Sequence, residues 1–403
     1  MTVKDTLEFI KTAHAGQMYG SNPYWVHPKT VADKLTKEQA LYVANIFSNY
    51  FDRFERIDDY IRDQKLNSLA ERSVGLPGMG PEDDLFSDFS INPMDMKFEL
   101  IELPQDTWDI YLNIISSHSN MTSIPGRCYR LAVLEKTTGK WVGFIRLGSP
   151  VINMKPRNEM LGGVFTQTPE SAKSFNHTSV MGFALVPAQP FGFNYLGGKL
   201  LAGICCSHEV REALNKKYDM NTCLFETTSL YGSSKSSSQY DGMKPYLRFK
   251  GLTDSDFLPM MHGQPYKDMK TYLENVLGEF VPADASSRKL KISNKAISLT
   301  KVALKGTPEG EKFNATIKNA LGLTERKRYY ASNYGFSNFT DVVMGKTDKL
   351  VKDKENYDKH HLESIVEWWK KKAQTRYDTL KTEGRLRQEI EVWTGDKEFD
   401  IIR

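Results

Sequence analysis

With 403 residues, the chain is long enough for two or three domains and a sizeable core. Forty per cent hydrophobic and 26% charged residues are an ordinary water-soluble composition, and no apolar run approaches the length of a membrane-spanning helix. The formal charge of +4 is small, but residues 281–330 hold eleven Lys/Arg against four Asp/Glu, a local excess larger than that of the whole chain.

In chain order, Leu7, Ile10, Ala13 and His14 predict a helix, residues 16–23 a loop, and Thr30 to Leu35 a second helix. The pattern AHAGQ…YG…PYWVHP…VA resembles the opening of the HD-domain metal-dependent phosphohydrolases of the RelA/SpoT type, with His27 at the first metal-binding histidine. That family also needs a His-Asp dipeptide, and this chain has none. Because a hard divalent ion wants several converging ligands, no metal site is expected, and His14 and His27 read as packing or capping residues. Glu38 to Arg72 reads as an amphipathic helical run, so that residues 1–72 form a helical N-terminal region.

Residues 73–95 are rich in Gly, Pro and acidic side chains and predict a linker. A core domain is expected over 96–280. Met96 to Leu103 reads as a strand and Trp108 to His118 as a short helix. Gly126 to Ser149 reads as a hairpin turning at Thr137-Thr138-Gly139-Lys140, and Thr166 to Thr178 as a loop. The four cysteines (Cys128, Cys205, Cys206, Cys223) lack metal-ligand spacing and fit a reduced, cytoplasmic protein without disulfides.

Val180 to Val186 predicts the central strand, ended by Pro187 and a loop over 189–194. Gly197-Gly198 then open a helix with Leu200, Leu201, Ile204 and Cys205 on one face, and Cys223 to Thr228 forms the next strand. This is a βαβ unit. The first turn of a helix leaves N–H groups unpaired, and glycines let an anion approach them, with Lys199 adding a full charge. The same glycines serve equally to pack a helix tightly on a sheet. Glu226 ends the second strand, where open α/β sheets bind ligands, and is a candidate general base.

This order of elements looks like the acyl-CoA-dependent N-acetyltransferase (GNAT) superfamily. The resemblance implies an α/β (α+β) fold whose mixed sheet is of acyltransferase type, with helical N- and C-terminal extensions. It further implies an acyl-CoA-type donor held by Val186, Asn194, Gly197, Gly198 and Lys199, and a leaving thiolate protonated by Tyr240. Asn194 stands where that family has Arg or Gln, and Lys199 where it has a small residue. A closer resemblance covers about 125–253: the PGRCYRLAV…GFIRLGSP hairpin, Leu196 to Leu201, Phe225 to Thr228, and Gln239-Tyr240…Lys250-Gly251-Leu252-Thr253. It is to the DruA-like family of Druantia anti-phage systems and related phage proteins, some of which look distantly like the Mom DNA-modification enzymes.

Residues 281–345 read as a basic nucleic-acid-binding segment, with Arg326, Lys327 and Arg328 as phosphate contacts and the aromatic run from Tyr329 to Phe339 as stacking faces or a packed strand. Residues 346–403 read as a helical region whose apolar face carries Ile365, Trp368, Trp369, Ala373, Tyr377 and Leu380. The expected function is a phage-type, acyltransferase-like protein that modifies a nucleobase amine on DNA, either single-stranded or with the base flipped out. Two alternatives stand beside it: a non-catalytic nucleic-acid-binding protein of phage–host conflict, and a base-excising DNA glycosylase.

Overall fold

The computed structural model describes residues 34–72, 81–115, 126–163, 168–229, 238–254, 260–285, 288–323 and 326–393. The N-terminal stretch expected to resemble an HD domain, with His14 and His27, lies outside them. Two compact units emerge: one combines the described residues up to Ile46 with Gln264–Glu311, the other Phe47–Gly263 with the chain from Lys312 onward. In the first, the helices α9 and α10, bounded below, are joined by an Arg288–Glu274 ion pair at 2.9 Å.

The second unit is built on one mixed sheet. Its strands are β1 (Phe98–Glu102), β2 (Cys128–Glu135), β3 (Lys140–Gly148), β4 (Ser179–Pro187), β5 (Leu224–Thr228), β6 (Arg248–Leu252) and β7 (Arg328–Ser332). Across the sheet the order is β1-β2-β3-β4-β5-β7-β6. Only β4 and β5 run parallel, with Ser179 opposite Leu224; every other neighbouring pair is antiparallel. The mixed α/β class expected from the sequence is the class found.

The helices among the described residues are α1 (Lys37–Phe51), α2 (Ile57–Arg72), α3 (Gln105–Ile114), α4 (Lys155–Met160), α5 (Pro169–Thr178), α6 (Phe191–Tyr195), α7 (Gly197–Cys205), α8 (His208–Tyr218), α9 (Gly263–Leu277), α10 (Arg288–Ala303), α11 (Pro308–Gly322), α12 (Phe339–Val343) and α13 (Leu362–Thr382). No helix of the described residues is long and apolar enough to cross a membrane.

The β2–β3 hairpin forms as its pattern predicts, and its turn is held by a buried acid. Glu135 accepts hydrogen bonds from the backbone of Lys97, Thr137 and Thr138 and from the Thr138 hydroxyl, at 2.8–3.2 Å. Burial alone raises its pKa, but these donors outweigh it and hold the carboxyl below its ordinary range. Leu131, Val133, Ile145 and Leu147 face the main core, while Ala132 and Phe144 pack with Trp108 and Leu112 of α3.

Several expectations are corrected. The run over 38–72 is two helices, α1 and α2, interrupted after Phe51. The stretch expected to be a linker buries Leu85, Phe86 and Phe89 in the core, and Phe86 pairs its backbone N–H with the Trp141 carbonyl at 2.9 Å. The Thr/Ser-rich loop contains α5, started by a Thr168–Ser171 capping box with proline in the first turn. The helix after Gly197 ends at Cys205, and Ser207 caps a new one by accepting from the Val210 N–H at 3.3 Å. Residues 281–345 do not form one segment. The basic helix α10 belongs to the first unit, whereas Arg328–Ser332 is an interior strand of the sheet, its Tyr329 and Tyr330 buried between neighbours on both sides.

The C-terminal helix α13 buries Ile365, Trp369, Ala373, Tyr377 and Leu380, residues three and four apart. It meets α7 closely because Gly203 has no side chain: a Cβ there would lie 2.7 Å from Ile365 Cγ2. Trp369 Nε1 donates to the Leu196 carbonyl at 3.2 Å, at the junction of α6 and α7.

Candidate functional site

The junction between α6 and α7 holds the residues expected to bind a coenzyme. Leu196 sits there in the left-handed region (φ +56°), ending one helix and starting the next. Val186 is buried in β4, under α3. Asn194 is fully buried and bridges to the C-terminal chain: its Nδ2 donates to the Arg387 carbonyl at 2.8 Å and its Oδ1 accepts from the Arg387 N–H at 3.1 Å. Gly197 is a close-packing glycine, since a Cβ would lie 2.8 Å from Pro187 Cβ, 2.9 Å from Phe191 Cδ1 and 3.0 Å from Gly192 Cα. At Gly198 a Cβ would meet Gln239 Oε1 at 2.0 Å. The first turn of α7 is thus covered by a glutamine side chain.

Lys199 donates to the carbonyls of Gln239, at 2.8 Å, and of Asp241. Burial lowers its pKa to about 8, assisted by the positive charge of Lys372 and opposed by Asp241. Its ammonium is committed to tying the 238–241 loop to the helix. Asp241 in turn accepts from Tyr330 at 2.8 Å, from Arg328 at 3.2 Å and from the Ser238 N–H at 2.9 Å. Burial would raise that carboxyl, and these donors together hold it lower than usual.

Glu226 and Tyr240, the expected base and acid, lie on opposite faces of the sheet. Side chains alternate along a strand, and Tyr240 bonds to Thr227 and packs on Tyr330, the register partner of Thr227. Glu226 faces the other way. It is fully buried, with Oε1 accepting from Arg157 Nη1 at 2.9 Å and Oε2 from the Tyr329 hydroxyl at 2.8 Å. Burial pushes its pKa up, against the pull of Arg157 and Tyr329. Tyr240 is also buried, and burial raises its hydroxyl well above the ordinary tyrosine value. The two do not form one acid–base pair. Arg157 escaped sequence reasoning because nothing in a short Lys-Pro-Arg stretch signals that its guanidinium crosses to a strand 69 residues away.

The basic triplet stands at the start of β7, the strand next to the open edge that β6 forms. Lys327 pairs with Thr253 in both directions, its N–H donating to Thr253 Oγ1 at 2.9 Å and its carbonyl accepting from the Thr253 N–H at 2.9 Å. Lys327 is partly buried, and desolvation lowers its pKa. Arg326 is exposed just before β7. Arg328 lies 4.2 Å from the ring centroid of Phe249 and donates to Tyr330 at 2.9 Å. Its pKa is raised by that hydrogen bond and by Asp241. The neighbouring strand β6 exposes Arg248, Phe249 and Lys250 in succession, Phe249 to 43%. These three were missed because the Arg-Phe-Lys run is short. Its alternation of cation and ring beside a β-bulge was the available signal.

Among the described residues no group of three or more His, Cys, Asp or Glu side chains is arranged to hold a metal ion, and all four cysteines are free thiols. Burial raises Cys206 and Cys223 to about 12, so neither is a ready nucleophile. No curated protein and no solved structure matches the chain. One family model does match, over a stretch that starts at residue 82, ahead of β1, and runs just past β5, including the hairpin, the βαβ unit, Arg157 and Glu226. That model is described as the Druantia protein DruA, and residues 82–235, less than half of the chain, are similar to it.

Proposed function

We infer that this chain is a nucleic-acid-binding protein of anti-phage defence that contacts DNA through the β6–β7 edge of its sheet. The supporting observation is that Arg328 lies 4.2 Å from the exposed ring of Phe249, with Arg248 and Lys250 exposed on either side of that ring along β6 and Arg326 exposed just before β7. Cations displace the counterions condensed on a phosphate backbone, and an exposed ring offers a stacking face to a base. Charges on an edge strand also serve to block edge-to-edge aggregation. An exposed phenylalanine between two of them works against that purpose, and base stacking gives it a purpose. The DruA-like stretch supplies the anti-phage context.

Acyl transfer to a base amine finds less support in this geometry. It asks for an accessible base and an open cradle, whereas Glu226 is sealed against Arg157 and Tyr329 and the first turn of α7 is covered by Gln239. Calorimetry with acetyl-CoA and CoA tests that reading directly: binding tighter than millimolar would restore it. Base excision has no added support, since the same carboxylate is its best acid.

The interface is tested by fluorescence anisotropy with single- and double-stranded DNA at several salt concentrations. Alanine at Arg248, Lys250 and Arg326 together should weaken binding and flatten the salt dependence, by about 0.9 in slope for each phosphate that is no longer neutralised. Phe249→Ala should cost about 1–3 kcal/mol on single strands, the worth of one stacked base, with the salt slope unchanged. Affinity and slope that stay at wild-type values in the triple variant would return this edge to a solvated surface.

A further inference from the structure

The buried Arg157–Glu226 pair poses a physical question. Taking two charges out of water carries a large desolvation cost, and apolar residues of similar size often pack such a place equally well. What the pair adds here is direction. Arg157 is fully buried, its guanidinium lying 4.2 Å from the centroid of the Phe175 ring, and it does more than meet Glu226. Its Nη1 donates to the Val151 carbonyl at 2.8 Å and its Nη2 to the Ile152 carbonyl at 2.5 Å. A guanidinium presents donors in a rigid planar fork, so both carbonyls are fixed in place. Tyr329, bonded to the far oxygen of Glu226, locks the acid that locks the arginine.

With both carbonyls drawn inward, the two side chains of the turn project outward. Val151 is 38% exposed and Ile152 65%, the highest among the large apolar residues described. Two adjacent apolar side chains held outward on a fixed turn give a small, stiff apolar contact surface. The register of the sheet says which charged side chain shares its face. Arg248 stands opposite Ala331, two residues from Tyr329 and on the same face of β7. That is the face on which Glu226 and Arg157 lie. Gly251 of β6 packs against this corner too, with a Cβ there lying 3.0 Å from Pro156 Cβ, and Lys155 approaches Asp254 to 3.7 Å. Desolvation lowers the pKa of Lys250, and the charge of Arg248 adds to it.

We propose that the Val151–Ile152 turn is an apolar wedge that enters the base stack of duplex DNA held against the basic β6 edge. The proposal rests on the nucleic-acid reading above and deepens it: the ligand is a duplex, bent or opened at one step. Charge complementarity selects this occupant over an apolar partner protein, since Arg248, exposed on the same face, would have to be buried by such a partner, whereas a phosphate flanking an opened base step meets it. Apolar side chains that insert between base pairs unstack the step and kink the duplex. A wedge must not retreat under load, and the arginine fork behind the turn supplies that stiffness.

The test uses the full chain and a short duplex carrying 2-aminopurine, with end labels for energy transfer. Wild type should bind with a salt-dependent affinity, raise 2-aminopurine fluorescence through unstacking, and shorten the end-to-end distance. The double variant Val151→Ser/Ile152→Ser changes only solvent-facing side chains, and its melting temperature checks that it stays folded. It should lose the fluorescence rise and the bend and bind about tenfold more weakly, while keeping the wild-type salt slope. Wild type that binds the duplex but leaves the base stacked overturns the wedge alone. So does a double variant that unstacks as well as wild type, which would mark the turn as a contact for another protein. Wild type that does not bind the duplex at all overturns both the wedge and the nucleic-acid reading.

Discussion

Replacing Glu226 by glutamine keeps the side chain's shape and removes its charge, which leaves Arg157 as an uncompensated cation at full burial. Two effects compete for the size of the loss. If Glu226 mattered only as a hydrogen-bond acceptor, the amide oxygen would replace one of its two acceptor oxygens and the cost would be near 1 kcal/mol. Breaking a buried pair by removing one charge costs about 3–5 kcal/mol, so the charge term decides. The second unit has roughly 300 residues, and unfolding entropy is about 2.1 cal/mol/K per residue. A loss of about 4 kcal/mol therefore lowers its melting temperature by roughly 6 °C. Differential scanning calorimetry and urea unfolding measure this independently. The double variant Arg157→Met/Glu226→Met removes both charges and should recover most of the loss, with a coupling energy above about 2 kcal/mol. A loss below about 1 kcal/mol in Glu226→Gln, or a double variant whose loss equals the sum of those of Arg157→Met and Glu226→Met, would refute the charge pairing of Arg157 with Glu226.

Two further outcomes follow from buried groups elsewhere. His360 is fully buried with Nδ1 donating to the Cys206 carbonyl at 2.8 Å, and burial lowers its pKa from the usual 6.5 to about 4. The unfolded chain therefore takes up this proton first, so the contribution to stability is complete above pH 6.5 and is lost as the pH falls towards 4. Urea unfolding of wild type and His360→Gln should differ in that window by a slope of up to about 1.4 kcal/mol per pH unit, and parallel profiles would exclude the histidine as the source. Gly197→Ala should destabilise by about 1–3 kcal/mol, because the new methyl meets Pro187, Phe191 and the Gly192 backbone, whereas Gly198→Ala displaces only the amide end of Gln239 and should cost under about 1 kcal/mol. Equal losses at the two glycines would show that Gln239 is as immovable as the backbone.

Among the elements, local pattern carried far. The hairpin over 128–148, the βαβ unit from Ser179 to Thr228 and the apolar stripe of α13 follow from periodicity and turn residues, which act between neighbours in sequence. The same logic predicted the helix opening at Gly197, while the mixed α/β class came as what the acetyltransferase resemblance implied. It failed where a short-range signal was ambiguous: the Thr/Ser-rich stretch before β4 carried a capping box as well as loop composition, and proximity to Thr168 decided for the helix.

What only the tertiary structure decided is which side chains meet. The sequence put Glu226 and Tyr240 within fourteen residues of each other, yet strand alternation and the crossing of the 238–241 loop send them to opposite faces of the sheet. Arg157 reaches Glu226 across 69 residues, and Arg328 reaches Asp241 across 87. Lys199, read as a phosphate ligand from its place in a helix, spends its charge on two loop carbonyls. A basic segment that looked continuous is divided between two units because one part pairs into the sheet and the other forms a separate helix. Composition and period are properties of neighbours along the chain; the partner of a buried charge is set by desolvation, which is settled only when distant strands close around it.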